Sequence, residues 1–100
     1  MNDTITTEAP LKTPDMRLDG LVAVVTGAGR GLGRACACAV AGAGAETVLV
    51  SRTASDLDSV AAEIEAAGGA ARKLICDVSD LDEITARIGG LDRIDILINN

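Results

Sequence analysis

Four short runs of apolar residues, separated by more polar segments, dominate the pattern of this chain. The first two runs are continuous and rich in β-branched residues, which is typical of strands buried on both faces of a parallel sheet. The pattern predicts strands at residues 21–26 (LVAVVT), 47–51 (TVLVS), 71–76 (ARKLIC) and 94–98 (IDILI).

The segments between these runs have helical character. Residues 32–43 are rich in Ala and Cys and predict a first helix that ends at the Gly42/Gly44 region. A second helix has Thr53 or Ser55 as its predicted cap and Gly68 at its end. Its apolar residues recur at i, i+3, i+4 and i+7 and therefore share one face: Leu57, Val60, Ala61 and Ile64.

The third helix is predicted to begin after Ser79, as the capping residue, and to stop at Gly89. One face of it carries Leu81, Ile84 and Ile88. The element order is therefore β-α-β-α-β-α-β. Such alternation implies right-handed crossovers and a parallel sheet covered by helices.

The domain organisation follows from where the regular pattern starts. Residues 1–17 are polar and contain Pro10 and Pro14, so we expect a flexible N-terminal extension. Residues 18–100 form one α/β unit. Its core is aliphatic, because 48% of the residues are apolar and none is aromatic.

Composition excludes several kinds of partner. A net charge of −6 speaks against non-specific binding to nucleic acid or to anionic membranes. Residues 1–20 lack the apolar core of a signal peptide, and the longest uncharged stretch, residues 35–45, is too short to span a bilayer. We therefore expect a cytoplasmic protein.

The three cysteines indicate no metal site. An odd number of cysteines without an export signal indicates reduced thiols. Cys36 and Cys38 are two residues apart on a helix and point about 200° apart, so they cannot share an ion. We predict that these two and Cys76 are small buried hydrophobes.

The glycines after the first strand carry the candidate chemistry, in the segment TGAGRGLGR (26–34). Gly27 permits a sharp turn, Gly31 lets a ligand approach the backbone, and Gly33 lets the helix pack close to the sheet. The small surface is expected to continue through the alanines at 35, 37, 39 and 41. The electropositive helix start that follows would suit a pyrophosphate; the alternative is a structural turn without a ligand.

Three motifs together resemble the N-terminal half of the short-chain dehydrogenase/reductase family: TGAGRGLG (26–33), CDV (76–78) and ILINN (96–100). Within the family, they are most similar to the 3-oxoacyl carrier-protein reductase and gluconate dehydrogenase-like group. The resemblance implies a Rossmann-type, doubly wound parallel sheet, of which this chain would hold the first four strands. It also implies a nicotinamide dinucleotide cofactor.

The resemblance implies a cofactor role for several residues. The pyrophosphate would be held by the glycine loop, which comprises Gly27, Ala28, Gly29, Arg30, Gly31, Leu32 and Gly33. Asp77 would bind the adenine amino group and Val78 would frame the ring, although Asp77 at a strand end is alternatively a turn or cap residue. Asn99 would contact the ribose through its backbone, and the Asn99–Asn100 pair would brace the sheet.

The end of the second strand predicts NADP rather than NAD. NAD sites carry an acid there to hold the ribose 2′-hydroxyl, but this strand ends in Ser51 and Arg52. Glu46 precedes the strand, at the wrong edge, and the next acid is Asp56. Arg52 and Arg30 would instead bind a 2′-phosphate, to which Ser51 could donate.

The family's proton transfer uses a Ser and a Tyr-x-x-x-Lys pair, and this chain contains no Tyr and no His. We therefore assign no catalytic residue within 1–100. We expect the N-terminal part of an oxidoreductase that interconverts a small-molecule carbonyl and a secondary alcohol and is a homo-oligomer. Its fourth strand would be left as an exposed apolar edge. The alternative is a chain complete as given, acting as a non-catalytic dinucleotide-binding or interaction module.

Overall fold

The computed structural model describes residues 17–77 and 79–100, apart from the side chains of Leu81 and Ile84. In this part of the chain, strands and helices alternate as the sequence predicts. The elements are β1 (Val22–Thr26), α1 (Gly31–Gly42), β2 (Glu46–Ser51), α2 (Ala54–Ala66), β3 (Ala70–Ile75), α3 (Leu81–Gly89) and β4 (Ile96–Ile98).

The strands form one parallel sheet in the order β3-β2-β1-β4. β1 therefore lies inside the sheet although it comes first in sequence, and Val24 is in register with Val48 on β2 and Leu97 on β4. This is the order of the first four strands in the six-stranded dinucleotide-binding fold. The predicted Rossmann-type parallel sheet is confirmed.

Helices cover both faces of the sheet, which makes it doubly wound. On one face, Val25 and Leu49 pack in a cluster with residues of α1 and α2. The predicted apolar face of α2 is confirmed, because all four of its residues are buried: Leu57, Val60, Ala61 and Ile64. On the other face, Val24, Val48 and Val50 form a cluster with Cys76, against which Ile88 and Leu91 pack.

The helix caps differ from the prediction in two places. Asp80, not Ser79, caps α3, and its side chain accepts a hydrogen bond from the Glu83 amide at 3.1 Å. Ser79 instead donates to Asp77. Thr53 occupies the capping position of α2 but its side chain makes no capping bond; its own amide donates to the Ser51 hydroxyl at 3.2 Å.

The face of α1 that carries small buried residues is narrower than predicted. Ala37 and Ala41 are buried, whereas Ala35 and Ala39 are exposed. The prediction that all four alanines share one packed surface is wrong, because residues four apart share a helix face and residues two apart do not. The face that packs on the sheet is therefore Gly33, Ala37 and Ala41.

The cysteines are less uniform than predicted. Cys76 is buried, but Cys36 and Cys38 are only half-buried, at the margin of the α1–α2 cluster. Burial, followed by the nearby Glu63 charge, raises the pKa of the Cys38 thiol. Burial also raises the pKa of Cys76, with a smaller contribution from Glu83. All three are free thiols.

The edge strand β4 is shorter than the predicted 94–98. Asp95 precedes it, and its carboxylate accepts the Val22 amide proton at 2.8 Å and pairs with Arg93. Leu97 is 59% exposed, so the predicted apolar edge is present. Of the predicted extension, residues 1–16 lie outside the described residues, whereas Arg17 bonds to Asp19 and to the Gly42 carbonyl. None of the described helices combines the length and apolar character that crossing a bilayer requires.

Candidate functional site

A cleft of about 610 Å³ lies at the carboxyl end of the sheet, where the loops that follow the strands meet. This is where ligands bind in open α/β sheets. Seven residues predicted from the sequence line it: Gly27, Gly29, Arg30, Ser51, Arg52, Asp77 and Asn100. Four other residues line the cleft that were not predicted as cofactor contacts: Thr53, Asp56, Cys76 and Ser79.

The other predicted residues that the structure describes do not line the cleft. Ala28 is buried in the core and Gly33 is buried beneath the loop. Gly31 and Leu32 are exposed at the start of α1. Asn99 lies beside Thr26, and Val78 lies outside the described residues.

The backbone of the glycine loop requires glycine at specific points. Gly27 and Gly31 have φ values of +62° and +55°, in the left-handed region that L-residues with side chains rarely adopt. A Cβ on Gly33 would lie 2.1 Å from the Gly27 carbonyl oxygen, so only glycine lets α1 come this close to the loop. A Cβ on Gly31 would have nothing within 4 Å, which leaves the backbone there open to a ligand.

The start of α1 is electropositive. Its first amide groups have no partner within the helix, and the helix dipole adds partial positive charge. No acidic residue lies in the first turn, and Arg30 at the capping position makes no side-chain capping bond. The loop and helix start therefore fit the pyrophosphate of a dinucleotide, the group that the sequence predicts here.

Arg30 and Asp56 form an ion pair at the rim of the cleft. The Arg30 Nε lies 3.3 Å from the Asp56 Oδ2, with side-chain exposures of 81% and 27%. α2 packs so closely on the loop that a Cβ on Gly29 would lie 2.6 Å from the Asp56 Cβ. The first acid after the second strand therefore reaches the cleft, which its distance along the sequence did not indicate.

Ser51 ends β2 and Arg52 follows it, both on the same cleft, whereas Glu46 begins β2 at the opposite end of the strand, as predicted. Glu46 pairs there with Arg72, at 3.4 Å. In the described part of the chain, Arg52 makes no ion pair. Its positive charge acts on Asp77, on the same cleft.

Asp77 is held in a tight turn by Ser79. The Ser79 hydroxyl and amide both donate to Asp77 Oδ1, at 2.7 and 3.0 Å. These two bonds, the hydroxyl's first, hold the pKa of the Asp77 carboxyl below its usual range, and Arg52 adds a smaller effect. The Asp77 amide donates to Glu83 Oε1 at 3.0 Å. Asp77 is therefore a turn residue, which is the alternative to adenine binding that the sequence left open.

Thr26 joins the ends of β1 and β4. Its buried hydroxyl donates to Asn99 Oδ1 at 3.0 Å and accepts from the Asn100 amide at 3.0 Å. The Asn100 side-chain amide also donates to the Gly27 carbonyl at 3.4 Å. The two asparagines therefore tie β4 to the start of the glycine loop.

The chain is similar to known proteins in sequence and in fold. The model of the short chain dehydrogenase family matches residues 21–100. An uncharacterized oxidoreductase of Mycobacterium tuberculosis (strain CDC 1551 / Oshkosh) is 47% identical over 89 residues, which cover 84% of this chain and 34% of the relative. A metagenomic short-chain oxidoreductase in complex with NADP is 45% identical, with a TM-score of 0.77 over 80% of this chain and 38% of that chain.

A second solved structure carries the other cofactor. A 7α-hydroxysteroid dehydrogenase complexed with NADH and 7-oxo glycochenodeoxycholic acid is 39% identical, with a TM-score of 0.79 over 86% of this chain and 35% of that chain. This chain spans about a third of the length of the curated relatives it matches. The resemblance predicted from the three motifs is confirmed at the level of the family: the chain belongs to the short chain dehydrogenases.

Proposed function

We propose that this chain supplies the cofactor-binding part of an NADP(H)-dependent oxidoreductase that interconverts a carbonyl and a secondary alcohol of a small molecule. The observation that carries the proposal is that Arg30 and Arg52 line the same cleft as the glycine loop. The nicotinamide cofactor, when bound, supplies the hydride. The residues of this chain bind and orient it.

The pyrophosphate would be held by the backbone of Gly27 to Gly33 and the start of α1. Open space at Gly31 and the absence of an acidic residue from the first turn of α1 support this role. A cleft of about 610 Å³ also suits a small-molecule ligand. On the adenine side, Asp77 would bind the amino group, Val78 would frame the ring, and Asn99 would contact the ribose.

The preference for NADP rests on the charges of the cleft. Arg52 and Arg30 would contact the 2′-phosphate and Ser51 would donate to it, while Glu46 lies at the other edge of the sheet. A hydrogen bond to a charged group contributes about 1.5–3 kcal/mol, which is about 10- to 100-fold in affinity. The similar structures include one with NADP and one with NADH, so similarity alone does not select the cofactor. The preference for NADP therefore rests on Arg30, Ser51 and Arg52.

We also propose three features of the whole protein. The three motifs together support a place near the 3-oxoacyl carrier-protein reductase and gluconate dehydrogenase-like group. The composition supports a cytoplasmic location, and membership of the family supports a homo-oligomer. We assign no proton-transfer residue to this chain, because it contains neither Tyr nor His.

Calorimetric titration of the protein that carries this chain tests the proposal. We expect NADPH to bind at least about tenfold more tightly than NADH, since a 2′-phosphate contact of the strength above would be lost with NADH. The same protein should oxidise NADPH when a ketone or aldehyde is supplied. Tighter binding of NADH, or no binding of either, would overturn the proposal.

A further inference from the structure

We infer that Asp56 weakens the binding of the 2′-phosphate and so determines how strongly this site prefers NADP. This inference rests on the proposed function, because it concerns the same cleft. Among the described residues, two acids line the cleft with Arg30 and Arg52, namely Asp56 and Asp77, and Asp56 is the one that pairs with Arg30. The two arginines and two aspartates of the cleft carry no net charge, so removal of either acid would leave the cleft positive.

The position of Asp56 is fixed by packing rather than by its ion pair. It lies in the first turn of α2, and a Cβ on Gly29 would lie 2.6 Å from the Asp56 Cβ. The glycine at 29 therefore allows α2 to bring this acid against the loop. A carboxylate in a first helical turn is also favoured by the helix dipole. Asp56 thus stabilises α2 while it places negative charge beside the proposed 2′-phosphate site.

Asp56 has two opposite effects on the affinity for the cofactor, and these effects differ in size. By holding Arg30 in place, Asp56 could help that arginine to bind a phosphate. However, the contact is a single one at 3.3 Å to an arginine side chain that is 81% exposed, and such surface pairs order their partners weakly. By contrast, a second negative charge near a 2′-phosphate opposes binding wherever the Arg30 side chain lies. The repulsion is therefore the larger effect.

The substitution Asp56→Asn isolates the charge, because Asn keeps the shape that packs on Gly29. Asp58→Asn is the matched control: Asp58 lies two residues along the same helix, is exposed, and pairs with Lys73 at 2.7 Å away from the cleft. Asp56→Ser is a second variant without the charge, with a residue well tolerated near a helix start. Thermal melting verifies that each variant is folded.

Calorimetric titration of the whole protein with NADPH and with NADH provides the test. We expect Asp56→Asn and Asp56→Ser to lower the Kd for NADPH by about three- to tenfold and the Kd for NADH by a smaller factor, because both cofactors carry the pyrophosphate but only NADPH carries the 2′-phosphate. The gain should shrink as salt is raised, and Asp58→Asn should change neither Kd.

An unchanged or higher Kd for NADPH in both Asp56 variants would overturn the inference, and a higher Kd would show that Asp56 serves to position Arg30. Failure of the proposed function looks different, because it would appear in the wild-type protein as a preference for NADH.

Discussion

The Asn100 amide donates a 3.0 Å hydrogen bond to the hydroxyl of Thr26, a residue 74 positions earlier in the chain. The same hydroxyl donates to Asn99, so one buried oxygen fixes both asparagines against the end of β1. Replacement of Thr26 by Val keeps the shape of the side chain but removes both bonds.

We expect Thr26→Val to lower the free energy of unfolding by about 1–3 kcal/mol, because polar partners are left without their hydrogen bonds. Urea denaturation of the whole protein measures this change. Thr47→Val is the control: Thr47 is equally buried, but its hydroxyl makes one local bond to the Ala45 carbonyl at 3.3 Å. An equal loss in the two variants would contradict a special role for Thr26.

A methyl group at position 33 should separate α1 from the glycine loop. Because a Cβ there would meet the Gly27 carbonyl oxygen at 2.1 Å, we expect Gly33→Ala to cost about 1–3 kcal/mol of stability and to weaken NADPH binding. Gly42→Ala, at the far end of α1, meets nothing within 4 Å. It should be neutral or stabilising by up to about 1 kcal/mol. Denaturation and calorimetry measure both effects, and normal NADPH binding by Gly33→Ala would be the contrary result.

Arg52→Asp should shift the cofactor preference toward NAD. The change removes a positive charge from the cleft and supplies the acid that NAD sites carry after the second strand. We expect the Kd for NADPH to rise by about 10- to 100-fold and the Kd for NADH to fall or stay constant. Arg72→Asp, on β3 and outside the cleft, is the control. Unchanged NADPH affinity in Arg52→Asp would rule out the assignment of Arg52 to the 2′-phosphate.

Ser79→Ala should raise the pKa of Asp77 toward its ordinary value, because the Ser79 hydroxyl bond is the largest cause of its depression. The depressed pKa means that the Ser79–Asp77 contact stabilises the fold above the unfolded pKa of about 3.9. That stabilisation is lost as pH falls through the lower folded pKa. Carboxyl NMR titration of Asp77 measures the shift.

The stability of wild type and of Ser79→Ala should therefore differ at pH 7 and converge under acid. Ser79→Thr, which keeps the hydroxyl, should behave as wild type. A stability difference that persists unchanged at pH 2 would instead point to a loss of packing.

The sequence predicted the elements well where the signal is local. The four core residues of α2 repeat at helical spacing, and this spacing is a property of one short segment. Capping was harder, because Ser79 and Asp80 are both good capping residues and adjacent. The bond from Ser79 to Asp77 removes Ser79 from that role, and nothing in the local pattern distinguishes the two.

The candidate site was predicted as far as it follows from strand ends and the glycine loop. Ser51 ends a predicted strand, and Arg52 and Asp77 each follow one, so parallel pairing brings all three to one edge. The contact between Arg30 and Asp56 was missed, because it joins residues 26 apart and depends on how closely α2 packs on Gly29. Such a distance is set by tertiary packing.

The place of β1 between β2 and β4 also has a consequence for folding during synthesis. β1 emerges first from the ribosome. Its second neighbour in the sheet, β4, is complete only when Ile98 has been added, 72 residues after Thr26. At roughly 5–20 residues per second, translation of that interval takes about 4–15 s. During this time one side of β1, a strand with four of its five residues buried, has no partner, so rapid pairing of β1 with β2 would protect nascent chains from aggregation.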